Sequence, residues 1–197
     1  MLTKEELLEP LAKLRTDEIV ITCMGVVRPW GLLSDSDLDF ASADSAMGHT
    51  ADLALGVALA QPARRVVCLN GDGSMLMSLG TLATIVDAGA RNLTLVVVVN
   101  GSYEITGNQK VPGEGALDFA AMARAAGFPN VYAFDESTIY RQALPELLRE
   151  TGPTFVSVSV VPGSEGPISR GRAEASRYLR TSLRDWSHRF RRALVDS

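Results

Sequence analysis

Short apolar runs alternate with helical patterns through most of this sequence, and that alternation restricts the possible fold more than any other feature. In the clearest run, residues 93–99, every residue except Thr94 is Leu or Val. Strands that are apolar throughout and separated by helices indicate a parallel sheet covered on both faces. We therefore predict an α/β fold with a doubly wound, mostly parallel sheet and helices on both faces. The predicted order is strand 65–70, helix 74–88, strand 93–99, helix 117–126, strand 130–134, helix 136–150 and strand 154–160.

The N-terminal part shows the same alternation. Thr3 and Glu6 have the spacing of a capping box in front of an apolar pattern, which predicts a first helix that ends near Arg15. The predicted order then continues with strand 18–23, a loop over 24–30, a polar connection over 34–37, a short strand near residue 40 and a helix from about 48 to 60.

Length and composition restrict the class of protein. A chain of 197 residues, 46% of them hydrophobic, forms one domain with a substantial core. Its net charge of −4, without a basic block in the first 160 residues, argues against nucleic acid as the main partner. Cys23 and Cys68 lie in apolar runs, which predicts reduced core thiols. Without a signal-peptide pattern or an apolar run of membrane length, we expect a soluble cytoplasmic protein and no membrane partner.

Polar residues follow two of the predicted strands where each strand ends. Asp72 stands between Gly71 and Gly73 after the first of these strands, and Asn100 follows the second. The carboxyl ends of parallel strands meet at one edge of a sheet, where ligands bind, and Gly25 and Ser45 would lie at such ends too. The glycines let the backbone approach a ligand closely, and a helix opened by Ser74 offers N–H groups to phosphate. Together these features predict a site for a magnesium diphosphate.

The two segments together resemble the motif of thiamine diphosphate enzymes, a Gly-Asp-Gly followed one helix later by an Asn pair. The resemblance implies that Asp72, Asn100 and the main-chain carbonyl of Ser102 bind Mg²⁺. The first Asn of the pair is Val99 here, so the sequence departs from the motif at that position. Magnesium prefers oxygen ligands, few of them carboxylates, with substrate phosphates completing the octahedron, and this set of residues meets that preference.

The resemblance extends upstream to residues 45–49. It implies that Met47 is the apolar wedge that bends the cofactor between its two rings, and that the Ser45 carbonyl accepts a hydrogen bond from the aminopyrimidine. A Met at a helix entrance is more often a core residue, so the spacing of Met47 to Asp72 carries this interpretation. The residues expected to contact the cofactor are Gly25, Ser45, Met47, Gly48, Gly71, Gly73, Ser74 and Tyr103.

The same resemblance implies that the chain is incomplete as an enzyme. In this family a glutamate on a separate pyrimidine-binding (PYR) domain activates the cofactor, and this chain has no room for a second domain. Residues 1–162 resemble the diphosphate-binding (PP) domain alone. We therefore expect a chain that is inactive without a PYR-domain alpha subunit and works in a hetero-oligomer, α2β2 or larger.

Residues 103–109 are similar to sulfopyruvate decarboxylase beta subunits and to the C-terminal half of phosphonopyruvate decarboxylase, with a Thr-Gly pair after the tyrosine. Pyruvate decarboxylases carry an acid where this chain has Thr106. The resemblance implies decarboxylation of a small 2-oxo acid with a second anionic group, such as sulfonate or phosphonate. Three alternatives stay open: a carboligase of the acetolactate synthase type, a non-catalytic cofactor-binding module and, least favoured, a plain nucleotide-binding domain.

Three charged or titratable residues have two interpretations each. Glu104 is a candidate catalytic proton carrier or a solvent-facing residue at a helix start. His49 is a candidate for orienting the substrate or contacting the phosphates, or it packs beside Gly48. Arg28 could pair with an anionic substrate group, although a solvent-facing loop arginine is favoured.

The composition changes after residue 162, and residues 163–197 form a basic, amphipathic, helical extension. Eight arginines lie in this segment. Its apolar residues recur at three- and four-residue steps, and such a stripe covers apolar surface. We expect it either to pack on its own domain or to dock to another subunit. The stripe consists of Leu179, Leu183, Trp186, Phe190 and Leu194.

Overall fold

The structure, a computed structural model, describes residues 1–41, 47–168 and 171–195. Its strands are β1 (Ile19–Thr22), β2 (Asp39–Ala41), β3 (Val66–Gly71), β4 (Leu93–Val99), β5 (Ser102–Tyr103), β6 (Gln109–Lys110), β7 (Asn130–Phe134) and β8 (Thr154–Ser159). Its helices are α1 (Lys4–Leu14), α2 (Met24–Leu33), α3 (Thr50–Ala60), α4 (Asp72–Met77), α5 (Thr81–Ala88), α6 (Phe119–Ala126), α7 (Ser137–Leu147), α8 (Arg177–Arg180) and α9 (Leu183–Val195). A 3₁₀ turn covers Glu104–Thr106.

Six of the strands form one sheet in the order β2-β1-β3-β4-β8-β7, and each neighbouring pair is parallel. The predicted doubly wound parallel sheet is confirmed. From β1 the chain adds β2 on one side and β3 on the other, so the order reverses between β1 and β3. Such a switch point opens a crevice at the carboxyl ends of the strands. In the register of β3 with β4, Gly71 pairs with Val98, which brings the ends of these two strands together.

Apolar side chains fill the space on both faces of the sheet. One core contains Leu7 of α1, Trp30 of α2 and Tyr140 of α7. The other contains Ala54 of α3 and Phe119 of α6. Helices therefore cover both faces, as the run of wholly apolar strands predicts.

The predicted loop over residues 24–30 is wrong, because these residues belong to helix α2. Gly25 and Pro29 suggest a loop, since both residues disfavour a helix interior. Pro29 has no N–H to donate to the carbonyl of Gly25, one turn earlier. Instead the Lys4 side chain donates to that carbonyl, with Nζ 3.1 Å from the oxygen. A side chain that is distant in the sequence thus donates to the carbonyl that Pro29 leaves without a donor.

The single helix predicted over 74–88 is also wrong, because α4 and α5 are separate. The Ser78 N–H donates to the Met75 carbonyl at 3.2 Å, and the Thr81 N–H donates to the Ser78 carbonyl at 3.0 Å. These short-range bonds turn the chain between the helices. Gly80, which has a low helix propensity, stands at the start of α5.

The C-terminal segment packs on its own chain, which was one of the two predicted interpretations. The Trp186 side chain is buried, and its Nε1–H donates to the Asp39 carbonyl at 2.8 Å. The rings of Phe190 and Phe40 have centroids 5.1 Å apart. The apolar stripe of α9 therefore covers the β2 side of the sheet.

The two cysteines are free and buried, as predicted. Within the described residues, no helix is both long enough and apolar enough to cross a lipid bilayer.

Candidate active site

A cleft opens at the carboxyl ends of β1, β3 and β4, beside the switch point. Its walls come from the start of α2, the β3–α4 junction and the segment after β4. Most of the predicted site residues line it: Gly25, Met47, Gly71, Asp72, Gly73, Ser74, Asn100, Ser102, Tyr103 and Glu104. Residues so far apart in the sequence meet here because each follows a strand of the same parallel sheet.

Asp72 lies at the bottom of the site and joins the ends of β3 and β4. Its side chain is buried, and its Oδ1 accepts a hydrogen bond from the Gly73 N–H at 2.7 Å. Its Oδ2 accepts from the N–H groups of Asn100 at 3.1 Å and Gly101 at 2.7 Å. Burial raises the pKa of Asp72, and the three backbone N–H groups act in the opposite direction. These bonds fix the orientation of the carboxylate.

Asn100 and Ser102 supply further oxygen atoms beside Asp72. The Asn100 Oδ1 accepts a hydrogen bond from the Ser102 N–H at 3.0 Å, which turns the chain after β4 towards the cleft. An amide oxygen has two lone pairs, so this bond leaves one for a ligand. Across residues 1–41, 47–168 and 171–195, no three His, Cys, Asp or Glu side chains form a metal-binding group. A cation at this site would depend on one carboxylate with amide and carbonyl oxygens, a set that suits Mg²⁺.

The glycine after Asp72 is required by a neighbouring ring. A Cβ atom on Gly73 would collide with Cε1 of Tyr103 and lie 2.8 Å from its Cδ1 and 2.9 Å from its Cζ. Tyr103 therefore packs directly on the backbone at the start of α4. This contact explains why the position after the carboxylate has no side chain.

Ser74 connects the start of α4 to the segment before α3. Its Oγ accepts a hydrogen bond from the Gly48 N–H at 3.0 Å. Gly48 has a φ of +87°, in the left-handed region that favours glycine. This turn places half-buried Met47 on the cleft wall, where the sequence predicts a cofactor contact. Ser45 lies outside the described residues.

Lys4 is a cleft residue that sequence reasoning missed. Its Nζ donates to the Gly25 carbonyl at 3.1 Å, to Glu165 Oε1 at 2.8 Å and to Glu104 Oε2. Burial lowers the pKa of Lys4, but the hydrogen bonds to Glu104 and Glu165 outweigh that effect and leave the pKa raised. In the sequence Lys4 is only the first residue of an amphipathic helix, which gives no sign of a role in the site.

The solvent-facing interpretation of Glu104 is wrong. Its side chain lines the cleft and is 1% exposed, and it accepts hydrogen bonds from Lys4 and from the Gly163 N–H. Two internal donors therefore hold both of its carboxylate oxygens. The role of Glu104 as a proton carrier stays a prediction.

The structure does not bring His49 and Arg28 to the cleft wall. His49 is exposed, and its Nδ1 lies 2.9 Å from Asp52 Oδ2. Arg28 is on helix α2, not on a solvent-facing loop, and its Nη2 pairs with Glu174 Oε1 at 2.9 Å. A direct role of His49 in catalysis stays a prediction.

Comparison with known proteins gives the family. The model of the family described as "thiamine pyrophosphate enzyme, C-terminal TPP binding domain" matches residues 36–158. The chain belongs to this family, as its sequence motif predicts, and contains a domain of the kind that binds thiamine diphosphate.

Two relatives have similar identity but different lengths. The chain is 38% identical to the sulfopyruvate decarboxylase subunit beta of Methanothermobacter thermautotrophicus over 165 residues, which are 83% of this chain and 85% of that protein. It is 38% identical to the phosphonopyruvate decarboxylase of Streptomyces viridochromogenes over 174 residues, which are 86% of this chain and 43% of that protein. The chain thus spans less than half of the phosphonopyruvate decarboxylase.

The fold is shared with solved enzymes of lower identity. The benzoylformate decarboxylase of Polynucleobacter necessarius superposes with a TM-score of 0.67 at 24% identity, covering 81% of this chain and 33% of that one. This similarity supports the fold assignment alone.

Proposed function

We propose that this chain is the beta, diphosphate-binding subunit of a two-component thiamine diphosphate-dependent 2-oxo acid decarboxylase. The proposed substrate is a small 2-oxo acid with a second anionic group, as in sulfopyruvate or phosphonopyruvate. The partner is an alpha subunit with the PYR domain, in an assembly of α2β2 or larger.

One observation carries the proposal. The chain matches a separate beta subunit over 85% of that subunit's length, but it matches only 43% of a phosphonopyruvate decarboxylase at the same identity. A relative that is itself named a beta subunit supports the same role for this chain in a two-component enzyme.

The donor set of the cleft fits the cofactor and its metal. Asp72, the amide oxygen of Asn100 and the Ser102 carbonyl would hold Mg²⁺, and oxygen ligands suit this ion. The backbone at Gly71 and Gly73 would lie against the diphosphate, with the uncapped start of α2 at Gly25 supplying N–H groups. When bound, thiamine diphosphate would supply a nucleophilic carbon and an electron sink for the decarboxylation of a 2-oxo acid.

The carboxylates of the cleft support the proposed dependence on a partner. Among the described residues that line it, only Asp72 and Glu104 carry carboxylates. The first accepts bonds from three backbone N–H groups, and the second is paired with Lys4. Neither is placed as a free acid for the pyrimidine ring. We therefore propose that the activating glutamate comes from the alpha subunit.

The binding test uses the chain assembled with its partner and titrated with thiamine diphosphate and Mg²⁺ in a calorimeter. Asp72→Asn removes the carboxylate that is assigned to the metal, so we expect Mg²⁺-dependent binding to be lost. The matched control is Asp87→Asn, which removes the same charge from an exposed position of α5 and should bind normally. Normal binding by Asp72→Asn would refute the assigned metal site.

The activity test separates the alternatives by product. Release of carbon dioxide with a free aldehyde from a 2-oxo acid supports decarboxylation, whereas a hydroxyketone supports the carboligase. Cofactor binding without carbon dioxide from any 2-oxo acid would favour the non-catalytic module.

A further inference from the structure

A carboxylate from the C-terminal segment lies between two cations, one of which, Lys4, lines the cleft. Glu165 Oε1 is 2.8 Å from Lys4 Nζ, and Glu165 Oε2 is 3.8 Å from Arg28 Nη1. The side chains of Lys4, Arg28 and Glu165 are 11%, 24% and 21% exposed. This arrangement is a partly buried anion site that the chain fills with its own side chain.

Glu165 fits this site incompletely. Its Oε2 is buried without a hydrogen-bond partner among the residues that the structure describes, and 3.8 Å is too long for a hydrogen bond to Arg28. A buried acceptor without a partner is unfavourable, since it has lost its water. An anion whose oxygen atoms lie within hydrogen-bond distance of both cations would make the hydrogen bond to Arg28 that Glu165 does not make.

Both cations also have partners other than Glu165. Arg28 donates to both carboxylate oxygens of Glu174, from Nε at 3.1 Å and from Nη2 at 2.9 Å. Lys4 is bonded to Glu104 and to the Gly25 carbonyl. Within the described part of the chain, Glu165 is thus the most weakly held of the carboxylates around these two cations. The site is preorganised, which reduces the cost of binding a ligand.

We propose that Lys4 and Arg28 form the subsite for the second anionic group of the substrate, and that Glu165 occupies this subsite until the substrate displaces it. This inference rests on the proposed function for the identity of the substrate. Lys4 lines the cofactor cleft, so an anion held there belongs to a molecule that also reaches the cleft. A sulfonate or phosphonate has three oxygens, which suit the ammonium of Lys4 together with the Arg28 Nη1 that faces Glu165.

A binding experiment on the full chain tests the subsite without any activity. Methylphosphonate is titrated into the wild type and into Glu165→Gln in a calorimeter. We expect Glu165→Gln to bind at least about tenfold more tightly, because the competing carboxylate is gone, and adding Lys4→Met to remove that gain. The matched control is Glu9→Gln, which deletes a carboxylate from the exposed pair with Lys13 and should bind like the wild type. Equal affinity of Glu165→Gln and the wild type would overturn the proposal.

A kinetic experiment on the assembled enzyme tests the role in specificity. It compares kcat/KM for sulfopyruvate with kcat/KM for 2-oxobutyrate, whose terminal group is uncharged. We expect Lys4→Met to lower the ratio of the two values by about tenfold, and Glu165→Gln to lower KM for sulfopyruvate. An unchanged ratio in Lys4→Met overturns the subsite. If the wild type decarboxylates no 2-oxo acid, the proposed function fails, and the methylphosphonate titration still decides the subsite.

Discussion

Replacing Gly73 with alanine tests whether the ring of Tyr103 determines the backbone of the site. The added Cβ would collide with one edge of the ring, with three ring atoms closer than 3.0 Å. An alanine in place of a helical glycine normally stabilises a protein by about 0.4–1 kcal/mol. Overpacking costs about 1–3 kcal/mol. We therefore expect Gly73→Ala to lower the free energy of unfolding by about 1–2 kcal/mol.

The effect of Gly73→Ala on the free energy of unfolding should change sign when the ring of Tyr103 is absent. In a Tyr103→Ala background the collision is gone, so Gly73→Ala should be neutral or stabilise the chain by up to about 1 kcal/mol. The coupling energy between the two positions is then about 2 kcal/mol, within the range for residues in contact. Urea unfolding of the four proteins measures it.

Gly56 provides the matched control. It lies inside α3, and a Cβ there would have no atom within 4 Å. Gly56→Ala should therefore stabilise the chain by roughly 0.5–1 kcal/mol, the usual helical gain. If Gly73→Ala behaves like Gly56→Ala, or if its penalty persists without Tyr103, then the ring does not determine this glycine.

Two further predictions concern the C-terminal segment and the cleft thiol. A Cβ on Gly31 would collide with Ser176 Oγ and lie 2.7 Å from Ser176 Cβ, so Gly31→Ala should lower the free energy of unfolding by about 1–3 kcal/mol and speed tryptic cleavage of the C-terminal segment. Adding Ser176→Gly should restore much of the free energy of unfolding and of the resistance to trypsin. If neither is restored, the contact between residues 31 and 176 does not cause the loss. Burial raises the pKa of the Cys23 thiol to about 11, so only about one thiol in a thousand is ionised at pH 8. Alkylation of Cys23 by iodoacetamide, followed by mass spectrometry, should be slow in the folded chain and accelerate as the pH rises towards 11; fast alkylation at pH 8 would show that the thiol is not buried as described.

The core of the site could be predicted because it depends on local patterns. The apolar runs before Asp72 and Asn100 identify β3 and β4 as adjacent buried strands, and parallel strands bring their carboxyl ends together. The resemblance to a known motif then gives each residue a predicted role. Both steps depend on contacts that can be inferred from the sequence, because the residues are either close in the chain or placed together by the order of the strands.

The ion pairs of the cleft could not be predicted, because they join distant parts of the chain. Lys4 is 100 residues from Glu104 and 161 residues from Glu165, and no periodic pattern links such positions. The same contact explains the error at α2. Gly25 and Pro29 resemble a loop until the side chain of Lys4 provides the missing donor.

The packing of α9 against β2 bears on self-association of the protein. β2 is the outermost strand of its sheet, and the exposed side of such a strand can pair with strands of other molecules. Trp186 binds one of its carbonyl groups, and Phe190 covers the adjoining Phe40. A chain cut before α9 would lose this protection, and self-association through the uncovered strand would accompany its loss of stability. We therefore expect the C-terminal helix to limit strand pairing between molecules.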